Sequence, residues 1–201
     1  MNNNYKLYGL TGPTGSGKTT VTDILKNHCF EIVNADEIAH KALLDTELIS
    51  ALKIAFGEGI INPDGSINRR ETAKIAFSSK ENTEILNSLT HPVILRLAAE
   101  EFERLSREGS KRIVFDAPTL FESGSDKLCC KIISVIAPEN LRIRRIMKRD
   151  NISEAEAIKR ISAQKSEEFF RENSDFVIEN DGDMKALKAK TENIIKELIN
   201  E

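Results

Sequence analysis

The run Gly12-Pro13-Thr14-Gly15-Ser16-Gly17-Lys18-Thr19 satisfies the spacing G-x-x-x-x-G-K-[ST], and each element of that spacing has a chemical reason. Gly12, Gly15 and Gly17 free the backbone to turn successive N–H groups inward, which makes a nest for an anion. A helix starting near Lys18 and continuing through Thr20 adds the positive end of its dipole. Lys18 is placed to reach β- and γ-phosphates, and the Thr19 hydroxyl is a hard oxygen ligand for Mg²⁺. Gly12–Thr20 is therefore expected to bind ATP with Mg²⁺. Three glycines could also imitate a dinucleotide-binding fingerprint, but Lys18-Thr19 at the helix start argues against it.

Two carboxylates fall where an open parallel sheet gathers ligands, beyond the carboxyl ends of its strands. Asp116 closes the apolar run Ile113-Val114-Phe115 and fits a role in holding Mg²⁺ directly or through water. Asp36 follows a short apolar strand and is placed to take the proton of an acceptor hydroxyl. Each could instead cap a helix or sit in a solvated turn. Further on, Arg142, Arg144, Arg145, Lys148 and Arg149 crowd one expected helix. Arg142, Arg145 and Arg149 fall within roughly 60° of one another on it. Such a stripe suits a lid over a triphosphate, since guanidinium forks bind phosphate oxygens in pairs. It could also be a solvated face or, less in keeping with the chain's charge, a nucleic-acid contact. Arg171 could serve the lid too.

Apolar periodicity supplies the elements that must position these residues. Strands are expected at Tyr5–Thr11, Glu31–Asn34, Arg112–Asp116, Lys131–Ile136 and Phe176–Glu179, each a short apolar run. Helices are expected from Lys18 to about Asn27, from Asp36 onward, and over Leu48–Phe56 and Arg69–Phe77. Gly57–Asn68, with Pro63-Asp64-Gly65, reads as a turn-rich break. Another helix starts with Pro92 in its first turn and reaches Leu105. Pro138–Arg149 and Met184–Ile199 are helical, and Ser153-Glu154-Ala155-Glu156 is a capping box opening a helix to about Lys165. Alternating strands and helices imply a parallel sheet covered on both faces. The all-helical stretch between the second and third strands is too long for a plain crossover and reads as an insertion that binds a substrate.

Among the 201 residues, 40% are hydrophobic and 30% charged, with a net charge of −3. The acidic balance argues against nucleic acid as a partner, and no apolar run approaches the roughly 20 residues of a membrane helix. The first residues show no charged-then-apolar leader. Cys29, Cys129 and Cys130 suggest neither a disulfide framework nor a zinc site, and are expected to fill space as small apolar side chains. A cytoplasmic setting follows. A GTPase should carry N-K-x-D and a transporter ATPase L-S-G-G-Q; neither occurs.

Taken together and in order, the motifs resemble those of the dephospho-CoA kinases. The resemblance runs from Leu10 to about Gly182. It is carried by Gly12–Thr20, Asn34-Ala35-Asp36, Asp64-Gly65-Ser66-Ile67-Asn68-Arg69-Arg70 and His91-Pro92. Asp116-Ala117-Pro118-Thr119-Leu120-Phe121-Glu122, Arg145–Asp150, Ala163-Gln164 and Val177–Asn180 complete it. It implies an α/β fold: a P-loop kinase-like parallel five-stranded sheet flanked by helices, with a helical substrate-binding insertion and a helical lid. The implied divisions are a nucleotide-binding core over 1–36, 109–138 and 174–201, an acceptor-binding insertion over 37–108, and a lid over 139–173. The implied reaction is transfer from ATP, with Mg²⁺, to the ribose 3′-hydroxyl of dephospho-CoA, by a monomer or small homo-oligomer. The implied roles make Asp36 the catalytic carboxylate and Arg145 and Arg149 the lid arginines. Arg70, His91, Asp116 and Glu122 become acceptor-side contacts, and Asn180 a reader of the donor adenine. Asn34 stands where the family often has an aspartate, and Pro13-Thr14 replaces the common Gly-Ile.

Overall fold

The computed structural model describes residues 4–200. In chain order the elements are β1 (Lys6–Thr11), α1 (Lys18–Lys26), β2 (Glu31–Asn34), α2 (Ala35–Ala42), α3 (Thr46–Phe56), α4 (Arg69–Ala76) and α5 (Lys80–Arg107). They continue with β3 (Arg112–Asp116), β4 (Lys131–Ile136), α6 (Glu139–Asp150), α7 (Glu154–Ser162), α8 (Glu167–Glu172), β5 (Phe176–Glu179) and α9 (Met184–Asn200). No described helix is long and apolar enough to cross a membrane. Contacts divide the chain into two units, residues 1–32 with 105–201, and residues 33–104.

The first unit is built on the sheet, whose strand order is β2-β3-β1-β4-β5. β1 pairs in parallel with β3 and β4, and β4 with β5. The register sets Leu10 beside Asp116 and Thr11 beside Ser134, so the carboxyl ends of these strands lie together. Central strands with helices over them must be apolar on both faces, and β1 accordingly buries five residues in succession. Tyr8, Leu10, Val114, Ile133, Val135 and Ile178 form a core with Val21 and Leu25 of α1 and Leu187, Ile195 and Leu198 of α9. Each such side chain contributes about 1.5–3 kcal/mol on burial.

The unit over 33–104 has its own core. Ala42, Leu48, Leu52, Ile60 and Ile67 are buried, with Leu86, Leu89, Val93, Ile94 and Leu97 of α5 packed against them. Asparagine and aspartate caps start its helices: Asn34 accepts from the N–H groups of Asp36 and Glu37, Asp45 from Glu47 and Leu48, and Asn68 from Glu71. The break at 57–68 is a turn with Gly65 at φ +85°, closed by an isolated bridge between Ile61 and Ile67.

Several expectations change. Pro92 does not open a helix; it lies inside α5, which begins at Lys80. Proline removes one ladder hydrogen bond, but the apolar stripe from Leu86 to Leu97 packs, partly buried, against the core of this unit along a continuous helix, and that packing outweighs the loss. The helix from Ser153, with its capping box present, ends at Ser162 rather than Lys165. A separate α8 follows, capped by Ser166. Cys29 and Cys130 are exposed rather than buried fillers, and Cys29 holds a left-handed turn at φ +61°. Cys129 alone is partly buried, which pushes its thiol up to about 12. None of the three forms a disulfide.

Candidate functional site

The loop between β1 and α1 has the torsions its glycines permit: φ is +147° at Gly12, +78° at Gly15 and +97° at Gly17. Space is as restrictive as torsion here. A Cβ at Gly12 would run into the Val135 carbonyl, and one at Gly17 into the Asn180 side chain. Ser16 N–H donates to Pro13 O at 3.2 Å, closing a turn in the loop. The Lys18 ammonium is ion-paired with Asp116, whose second carboxylate oxygen accepts from the Thr22 hydroxyl at 2.8 Å. Asp116 is buried at the end of β3. Thr19 is exposed at the helix start. The Ser16 hydroxyl is buried and finds no hydrogen-bond partner among the described residues.

The outward side of the loop is gripped by side chains from distant segments. Arg142 Nε donates to Thr14 O at 2.9 Å, Arg145 Nη1 to Gly15 O at 3.1 Å, and Asn180 Nδ2 to Ser16 O at 2.7 Å. Arg145 also reaches Ser16 O at 3.3 Å, and Arg149 Nη2 reaches the Thr14 hydroxyl at 3.3 Å. Gln164 Oε1 accepts from Thr14 N–H at 3.0 Å and from Arg142 at 3.2 Å. Burial lowers the pKa of Arg142, which is only 4% exposed. Hydrogen bonding to Asp150 raises that of exposed Arg149. Arg142 is thus a buried strut rather than part of an open stripe. Asn180 spends its side-chain amide on the loop and its N–H on Ile136 O. Arg171, instead of facing the loop, pairs with Glu179 and Glu167.

The unit over 33–104 holds a groove of about 570 Å³. Its walls are mostly apolar, with Ala42, Leu43, Ile67 and Phe77 among them; its ionisable groups are Asp36, His40 and Arg69, and Thr72 and Thr90 add hydroxyls. Arg69 Nη2 stands 2.6 Å from His40 Nε2, an approach in which the guanidinium, a donor only, is the donor. Asp36 is exposed in the first turn of α2 and is not its cap, since Asn34 fills that role. Arg70 and His91 do not line this groove; the neighbouring Arg69 and the earlier His40 do. His91 is half-buried inside α5, and that burial lowers its pKa. Glu122 is exposed in the turn after β3. Sequence reasoning missed His40, Arg69 and Gln164. The Arg69-Arg70 and Ala163-Gln164 pairs had marked two of these places without resolving which side chain acts or how.

A glycine nest between β1 and α1, with a lysine and a strand-end aspartate at the carboxyl edge of a parallel sheet, defines a P-loop nucleotide-binding fold. The wider fold agrees: a shikimate kinase from Bacteroides thetaiotaomicron superposes with a TM-score of 0.57 over 96% of this chain and 98% of its own, at 13% identity. Within that class the chain belongs to the dephospho-CoA kinase family, whose pattern it matches over residues 6–186. It is 38% identical over 192 residues to a dephospho-CoA kinase from Corynebacterium efficiens, covering 95% of this chain and 96% of that one. A solved dephospho-CoA kinase from Campylobacter jejuni is 30% identical, with a TM-score of 0.71 over 96% of each chain.

Proposed function

We propose that this chain transfers the γ-phosphoryl group of ATP to the ribose 3′-hydroxyl of dephospho-CoA, yielding ADP and coenzyme A. Family membership across residues 6–186 carries the choice of acceptor. The buried, unpartnered Ser16 hydroxyl, between Gly15 and Gly17 of the loop, supports the donor side, because an orphaned polar atom there calls for a partner such as a phosphate oxygen. The loop N–H groups and Lys18 bind and orient the triphosphate, and little covalent chemistry is asked of the protein. Arg149 neutralises charge on the transferred group as it moves between oxygens, and Arg145, which here holds the Gly15 and Ser16 carbonyls, joins it only by giving up those bonds. Asp36 orients the acceptor hydroxyl and takes its proton. The Asp36, His40 and Arg69 groove receives the acceptor, with polar groups among apolar walls.

Mg²⁺ fits the residues present. It takes few protein ligands and keeps waters and phosphates for the rest, and the exposed Thr19 hydroxyl with the Asp116 carboxylate offers that kind of partial set. Thr19 would hold it directly and Asp116, whose oxygens serve Lys18 and Thr22, through water. When bound, the ion supplies charge neutralisation on the phosphate oxygens. A cytoplasmic setting belongs to the same proposal, because ATP is the donor.

An acceptor panel tests this reading. With Mg²⁺ and ATP, ADP release should be much faster with dephospho-CoA than with adenosine, AMP, gluconate or shikimate, and the product should carry its new phosphate on the 3′-oxygen. Equal turnover of a sugar acid would overturn the acceptor assignment while leaving the fold untouched.

A further inference from the structure

A trans peptide points its C=O and the following N–H in opposite directions. Fixing one carbonyl therefore fixes the aim of the next amide. In the loop, Arg142 holds Thr14 O, which turns Gly15 N–H the other way. Asn180 and Arg145 hold Ser16 O, which does the same for Gly17 N–H. The Pro13–Thr14 peptide is fixed by a different device. Pro13 O accepts Ser16 N–H inside the loop, while Thr14 N–H points outward to Gln164.

We infer that Gln164 is a positioning residue for nucleotide binding: one side-chain oxygen orients the Pro13–Thr14 peptide of the phosphate loop and anchors the arginine that orients the Thr14–Gly15 peptide. The oxygen accepts Thr14 N–H at 3.0 Å and Arg142 Nη2 at 3.2 Å, while Arg142 Nε holds Thr14 O at 2.9 Å. These bonds close a ring around Thr14 that takes up both of its backbone polar groups. Arg142 is 4% exposed, so water is poorly placed to replace a lost acceptor. Gln164 itself is exposed and follows the end of α7. Its side chain adds little to the apolar core, so a purely structural role has little to act through. Proline at position 13 sharpens the need. Its fixed φ narrows how that peptide can rest, and the single outside contact of the Thr14 amide then sets its tilt.

The inference rests on ATP being the donor but not on the identity of the acceptor. Its test is therefore Mg²⁺–ATP titration by calorimetry on the full chain, beside steady-state kinetics with dephospho-CoA. Gln164→Leu keeps bulk and removes the acceptor oxygen. It should weaken ATP binding and raise the ATP KM by about ten-fold, the loss expected for one charge-assisted bond. The dephospho-CoA KM should stay within about two-fold, and the melting temperature within a few degrees. Gln164→Glu keeps an acceptor at the same reach and should restore ATP affinity to within about three-fold. Unchanged ATP affinity in the Leu variant, with or without a drop in melting temperature, overturns the inference. So does an equal rise in both KM values, or a Glu variant as weak as Leu. Failure of dephospho-CoA to turn over in the wild type would instead strike the acceptor assignment, while the ATP titration still decides the role of Gln164.

Discussion

Asp36 bears directly on the chemistry, and its surroundings leave it available. Its own N–H is accepted by Asn34 Oδ1 at 2.8 Å, so the carboxylate has no capping duty. Asparagine and aspartate cap comparably, so Asn34 starts α2 as well as an aspartate would. Asp36→Asn keeps the shape and removes the charge. It should lower kcat by about 10²–10⁴ while ATP affinity stays within a few-fold by calorimetry. Lys18→Ala should show the reverse emphasis, with ATP binding itself impaired. It also strips Asp116 of its ion pair. Wild-type turnover by Asp36→Asn would reduce Asp36 to a bystander. Glu122 would then be the stronger candidate for a base, since Asp116 is committed to Lys18 and Thr22.

At the scale of elements, α6 does two jobs with one row of arginines. Arg142, near its start, is buried against the loop and hydrogen-bonded to backbone, whereas Arg149, near its end, is exposed beside Asp150. The two should separate on mutation. Arg142→Ala leaves Thr14 O without its donor and should cost about 2–3 kcal/mol, seen as a fall in melting temperature of several degrees. Arg149→Ala gives up an exposed ion pair and an exposed bond to the Thr14 hydroxyl, worth little to stability, and should lower kcat with the melting temperature nearly unchanged. If Arg149→Ala melts early with normal kcat, its role is structural and the lid reading fails at that residue. In the other unit, α5 shows the same priority of packing over local rules, carrying Pro92 within 28 helical residues because its apolar stripe packs against the core of that unit.

For the whole molecule, two contact-defined units suggest two ligand footprints. Hydrogen exchange followed by mass spectrometry should show Mg²⁺–ATP protecting residues 12–20 and 142–164. Dephospho-CoA should protect 36–43 and 67–77, the stretches that line the groove. Protection of 12–20 by dephospho-CoA alone, with none at 36–43, would contradict the assignment of the groove to the acceptor. Such measurements read local opening directly.

The phosphate loop was legible in the sequence because its chemistry is contiguous: a nest is made by neighbouring backbone amides, and glycine spacing with Lys18-Thr19 specifies it. The five strands were equally plain, since each carries a short apolar run, longest in the central strand β1, which is buried on both faces. What only the tertiary structure decided is long-range. Gln164 lies 150 residues from Thr14, and Asn180 lies 164 from Ser16, so no local pattern reports their hydrogen bonds. The choice of Arg69 and His40 over Arg70 and His91 depends on which face of each helix lines the groove. The fate of Pro92 was likewise hidden, because local sterics set a proline's cost while the packing of Leu86 to Leu97 offsets it. Contiguous chemistry is written in the chain itself, and the contacts that orient it exist only once distant segments have packed.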